Sequence, residues 1–159
     1  MELAIDIKKQ NLEALRWILN YSQYRESYIQ MQAEFNEVAA TQYTGMPHGS
    51  GVGNPTIKKA VSLAEIERMK KWIMTIEYME RTLSEKRLAF LEFRRRAECL
   101  DRSRDVGRPG WVDYVQARYA EWHDTRYGHG YPPSKRTMID WMDNIIDVTV
   151  RIAIKQGVL

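Results

Sequence analysis

The chain has 159 residues, a net charge of +3, a pI of about 9.0 and 44% hydrophobic residues, which excludes global disorder and leaves room for one domain, or a small domain with a helical extension. A single cysteine, Cys99, excludes an internal disulfide, and the apolar runs are too short for a membrane span. Residues 1–6 lack the basic and apolar regions of a secretory signal, so a cytoplasmic protein is expected.

Residues 1–40 read as one long helix without Gly or Pro. Trp17, Tyr21, Tyr24, Tyr28, Met31, Phe35 and Val38 recur at steps of four and three, which is a heptad seam suited to a partner helix. Leu12, Leu15, Ile18 and Leu19 widen its apolar face. Residues 41–54 form a Gly-rich break. It is not a phosphate loop, because no Gly-Lys-Ser/Thr follows and no strand precedes it. His48 reads as a solvated loop histidine, with no Cys or His at ligand spacing.

Asn54 and Pro55 suit the cap and first position of a second long helix over 54–82. Ile66, Met69, Ile73, Ile76 and Leu83 continue the three–four spacing, with Trp72 and Met79 beside them. The two helices are expected to form an antiparallel hairpin. Lys58, Lys59, Lys70 and Lys71 fit a solvated face, and also fit phosphate contact. Ser84 caps a helix over 84–98 with Leu88, Phe90 and Leu91 facing inward. Arg94–Arg96 suit either a phosphate backbone or the cation-favouring end of a helix. Cys99 has no neighbouring His to make it a nucleophile.

A polar loop over 100–110 leads to a shorter helix, about Trp111–Asp124, with Val112, Val115, Tyr119 and Trp122 on its apolar side. His123 and His129 do not make a metal motif across the turn that follows. Two prolines then end the turn, and Ser134 occupies the N-cap of a last helix running to Gly157. Lys135, Arg136 and Thr137 fall in its first turn, while Met138, Met142, Ile145, Ile146 and Ile152 pack beneath. A basic, hydroxyl-bearing start above an apolar stripe describes a DNA recognition helix. It equally describes an ordinary capped C-terminal helix. Asp140, Asp143 and Asp147 share one face of it, read as solvated rather than metal-binding. No catalytic constellation, metal site or cofactor motif emerges, so no enzyme is expected.

The order of these features resembles the phage late-transcription activators of the RinA/ArpU type. The resemblance is carried by the Pro-Thr-x-Lys-Lys-Ala start at 55–60, the Leu-Ser-Glu-Lys-Arg-Leu-Ala-Phe-Leu-Glu-Phe run at 83–93, and Ser-Lys-Arg-Thr-Met-Ile-Asp-Trp at 134–141. It covers most of residues 50–155. The resemblance implies an all-α protein with a long N-terminal helical hairpin (1–82, broken at 41–54) and a small helix-turn-helix-like domain (83–159). The helix preceding the motif is either 84–98 or 112–119, and its supporting first helix is 121–127. The implied function is sequence-specific binding of double-stranded DNA and activation of late genes in a bacterial host. Ser134, Lys135, Arg136 and Thr137 would contact DNA, followed by Asp140 and Asn144, with Arg126 as a further basic contact. The hairpin would hold a homo-oligomer or dock on bacterial RNA polymerase, with no membrane partner. A phage small terminase subunit and a helical adaptor that binds no DNA are the alternatives.

Overall fold

A computed structural model describes residues 2–42, 55–101 and 110–159, with side-chain surroundings for 6–37, 62–100 and 110–159. Six helices make up this part: α1 (Glu2–Leu19), α2 (Tyr21–Gln42), α3 (Pro55–Thr82), α4 (Glu85–Asp101), α5 (Trp111–Tyr127) and α6 (Lys135–Gln156). Among the described residues there is no strand, and the fold class is all-α as expected. His48, Asn54, Arg102, Arg104, Arg108 and the side chains of Val38, Lys58 and Lys59 lie outside the described residues.

The expected single helix over 1–40 is two helices, broken at Asn20. The last carbonyls of a helix need partners from outside it. Here the Ile18 carbonyl accepts from Arg95 Nε at 2.8 Å, and Asn20 Nδ2 donates to the Arg16 carbonyl at 2.8 Å. Along α1 the contacts advance with α3: Arg68 pairs with Glu13 at 2.6 Å, and the Trp17 and Trp72 rings stack with centroids 5.4 Å apart. The same register continues at the start of α2, where the Tyr21 hydroxyl donates to Glu77 Oε1 at 2.9 Å. α2 packs on α3 more extensively than α1 does.

α6 is the spine of the fold and packs against α1, α3, α4 and α5. Its buried residues are Met138, Met142, Ile145, Thr149 and Ala153, a stripe at steps of four and three. Each large apolar side chain buried there contributes roughly 2 kcal/mol. Ile146 and Ile152 are half-buried at its edge. One core cluster joins Ile18 and Leu19, Ile76 and Met79, Phe90 and Leu91, Val115 and Tyr119, and Met138, Met142 and Ile145. It draws residues from both sides of the expected division at 82/83. A smaller cluster joins Ala14, Trp72 and Ala153. α2 contributes no buried residue over its described part, 21–37, and its aromatic seam is half-buried against α3.

Helix ends follow the sequence chemistry. Pro55 is the first residue of α3. α4 starts one residue after Ser84, whose backbone carbonyl accepts from Leu88 N at 2.9 Å. α5 extends beyond the expected Asp124 to Tyr127, so residues 121–127 are the end of a 17-residue helix rather than a separate short one.

Candidate nucleic-acid interface

Ser134 is the N-cap of α6, as its position after two prolines predicts. Its hydroxyl accepts from Thr137 N at 3.1 Å and lies 2.9 Å from Thr137 Oγ1. The cap leaves the first turn projecting into solvent. Side chains of Lys135 and Arg136 are 59% and 82% exposed. At the other end Gly157 closes the helix with φ 66° and ψ 38°, the left-handed geometry that glycine adopts most cheaply.

α5 and α6 begin side by side. Lys135 forms an ion pair with Asp113 in the first turn of α5, and Gln116 Nε2 donates to the Pro133 carbonyl at 3.1 Å. One turn further in, Tyr119 and Trp141 meet edge to face at 5.9 Å. The connection over 128–134 is thus not the three- or four-residue turn of a minimal helix-turn-helix. It travels back along α5 to restart beside that helix's first half. Val115 and Tyr119, the buried residues of α5, belong to that half, while 124–127 are exposed. The first half of α5 and the start of α6 therefore pack as a unit, and 120–131 elaborate it. Both helix N-termini lie at the same end of that unit, and each favours anions through its free N–H groups and dipole.

The exposed face of α6 past its first turn is acidic. Asp140, Asp143, Asn144 and Asp147 are all exposed. Asp140 Oδ1 is 3.1 Å from Arg136 Nε, one turn back. A phosphate approaching this face meets three carboxylates, so attraction is confined to the tip. Among the described residues no three His, Cys, Asp or Glu are grouped to hold a metal ion.

Arg126 does not join Ser134–Thr137. Its guanidinium reaches Glu85 at 2.5 Å, and it lines a groove of about 860 Å³ between α4 and α5 with Arg96, Arg118, Tyr114 and Trp122. Each of the three arginines there has a carboxylate neighbour: Glu92 at 3.9 Å from Arg96, Glu121 at 2.9 Å from Arg118, and Glu85. The Arg118 guanidinium is held protonated by its hydrogen bond and charge pairing with Glu121.

No protein family, curated protein or solved structure matches the chain.

The Arg94–Arg96 run divides three ways. Arg94 is 8% exposed, pairs with Glu98 at 3.1 Å and lies over the Trp111 ring at 4.5 Å. Arg95 holds Glu80 at 2.6 Å as well as the Ile18 carbonyl, with the Tyr21 ring 5.2 Å away. Only Arg96 faces solvent. The signal for this division was in the spacing. Successive helical residues turn by about 100°, so three in a row cannot share a face. Arg94 falls on the stripe of Phe90 and Ala97, both buried. Of the histidines, His123 is half-buried beside the Tyr119 and Tyr127 rings, and His129 is exposed. No helix among the described residues is long and apolar enough to cross a membrane.

Proposed function

We propose that the protein is a non-enzymatic, DNA-binding regulator of phage or prophage genes, with the start of α6 entering the major groove. The observation that carries this is the packing of the first half of α5 against the start of α6, held by Gln116–Pro133 and the Tyr119–Trp141 contact, with Lys135 and Arg136 exposed at the tip. A recognition helix reads base edges with its N-terminal residues, and the exposed first turn of α6 would do so here without the short turn of a helix-turn-helix. Lys135 and Arg136 make the phosphate or guanine contacts, and the Ser134 and Thr137 hydroxyls of the same turn are further hydrogen-bonding groups. Their present ion pairs are solvent-exposed and worth at most about 1 kcal/mol each, so phosphate can replace the carboxylates. Asp140 positions Arg136 rather than touching DNA, and Asn144 lies one turn further along the same face. Arg126 belongs to the α4–α5 groove and is left out of the contact set.

The α2–α3 pair supplies the surface for a second copy of the chain. Ile29, Leu63, Met74 and Tyr78 are large apolar residues of these two helices that remain about half exposed. Pairing two such hairpins would bury them and bring two α6 tips to one duplex. Bacterial RNA polymerase is a further partner that an activator of this kind would engage.

The test is an anisotropy titration of a labelled mixed-sequence duplex at low salt. Replacing both Lys135 and Arg136 by Ala should weaken binding at least tenfold while the thermal midpoint stays in place, each phosphate contact counting roughly 1 kcal/mol or more. Equal binding by the variant rejects the interface. No binding by the wild-type chain favours a helical adaptor, and a large ring of subunits by solution mass favours a small terminase subunit.

A further inference from the structure

Tyr131 is the most exposed large apolar side chain among the described residues, at 101% relative exposure. The backbone on either side of it is held. Before it, Gly128 N donates to the Asp124 carbonyl at 3.0 Å with φ 79°. Gly130 sits against the His123 ring so closely that a Cβ there would come within 2.9 Å of Cε1. His123 is itself fixed between Tyr119 and Tyr127, with ring centroids 6.1 and 5.1 Å away. After it, Pro132 and Pro133 set their own φ and hold Tyr131 extended. The Pro133 carbonyl is then tied to Gln116.

A ring carried on a slack loop can fold back and cover part of its apolar surface. This one is anchored on both sides and points into water three residues ahead of the Ser134 cap. Its hydroxyl and its ring suit a partner that is polar on one part and apolar on the next. A duplex edge offers that pairing, with phosphate oxygens beside deoxyribose.

We propose that Tyr131 is a DNA-contacting residue, laid against the sugar–phosphate backbone flanking the groove that the α6 tip enters, with its hydroxyl donating to a phosphate oxygen. The inference rests on the DNA-binding reading above and extends it to an uncharged side chain outside α6. Tyrosine hydroxyls are ordinary phosphate donors, and such contacts fix register on the duplex.

The experiment compares the full-length wild type, Tyr131→Ala, Tyr131→Phe and the Lys135→Ala/Arg136→Ala variant on the same labelled duplex over a range of salt. Tyr131→Ala should weaken binding about tenfold, the scale of a hydrogen bond to a charged acceptor. Tyr131→Phe should fall between wild type and Ala. Neither should change the slope of log affinity against log salt, because no charge is removed, whereas the double variant flattens it. Thermal melting should be the same for both Tyr131 variants, since the side chain touches nothing that stabilises the fold. If the double variant loses binding and Tyr131→Ala binds like wild type, the Tyr131 contact is overturned and the DNA-binding reading stands. If the wild type does not bind at low salt, both are overturned.

Discussion

Two basic runs, Arg94–Arg96 in α4 and Lys135–Arg136 in α6, look alike in sequence and have opposite fates in the structure. In α4 the first two arginines turn inward. Arg95 closes the end of α1 through the Ile18 carbonyl, and Arg94 is sandwiched between Glu98 and Trp111. In α6 both cations remain in water, tethered only to the exposed carboxylates of Asp113 and Asp140. A basic run is therefore a count of charge, not a surface. What decides its role is which helical face each residue occupies and whether the neighbouring chain ends need donors.

The contrast is sharpest at Arg95. Arg95→Ala should destabilise the fold by about 3 kcal/mol, because it leaves Glu80 and the Ile18 carbonyl half-buried without their donor. Urea unfolding measures this, and a loss below about 0.5 kcal/mol, the scale of ordinary surface substitutions, would mean that Arg95 is no different from Arg136. Arg94 should behave otherwise when its shape is kept. Its Nε is buried without a partner, and its stem carries much of the packing. Arg94→Met should cost less than about 1.5 kcal/mol, while Arg94→Ala costs more. Equal losses for the two would place the stabilisation in charge rather than in packing.

On the α6 side the carboxylate tether is predicted to restrain binding. Asp113→Asn should tighten DNA binding about threefold by releasing Lys135 and removing a charge beside the phosphates, an effect of the size expected for one exposed pair. Weaker binding by this variant would mean that Asp113 positions Lys135 for contact. The smallest effect concerns Tyr21, which lies beneath Arg95. Burial, then the hydrogen bond to Glu77, pushes its hydroxyl up from 10.0 to about 12. The raised value means that the neutral phenol is favoured in the folded chain. Its contribution is complete below pH 10 and is lost as pH rises towards 12. The stability advantage of wild type over Tyr21→Phe should shrink across that window. A constant difference would show that burial and Glu77 do not hold the Tyr21 hydroxyl neutral.

Much of the architecture was legible. Pro55, Ser134 and Gly157 mark helix ends by simple cap chemistry, and the Met138–Met142–Ile145 stripe identifies the buried side of α6. The break at Asn20 was not, because no Gly or Pro stands there and the freed carbonyl of Ile18 is satisfied by Arg95, 77 residues along the chain. The return of the chain along α5 was also hidden. It depends on Gly130 fitting against His123 and on Gln116 holding Pro133, neither of which leaves a periodic trace. Of the expected contact residues, Ser134–Thr137 share the first turn of α6, whereas Arg126 lies in the α4–α5 groove.

The most direct test sets the two runs against each other on DNA. The slope of log affinity against log salt should be measured for wild type, Lys135→Ala/Arg136→Ala and Arg96→Ala, the last being the exposed member of the α4 run. Each phosphate contact contributes roughly 0.9 to the slope, so the double variant should be shallower by about 2 and Arg96→Ala should match wild type. A slope that falls for Arg96→Ala and stays unchanged for the double variant would contradict the assignment of the DNA interface to the tip of α6.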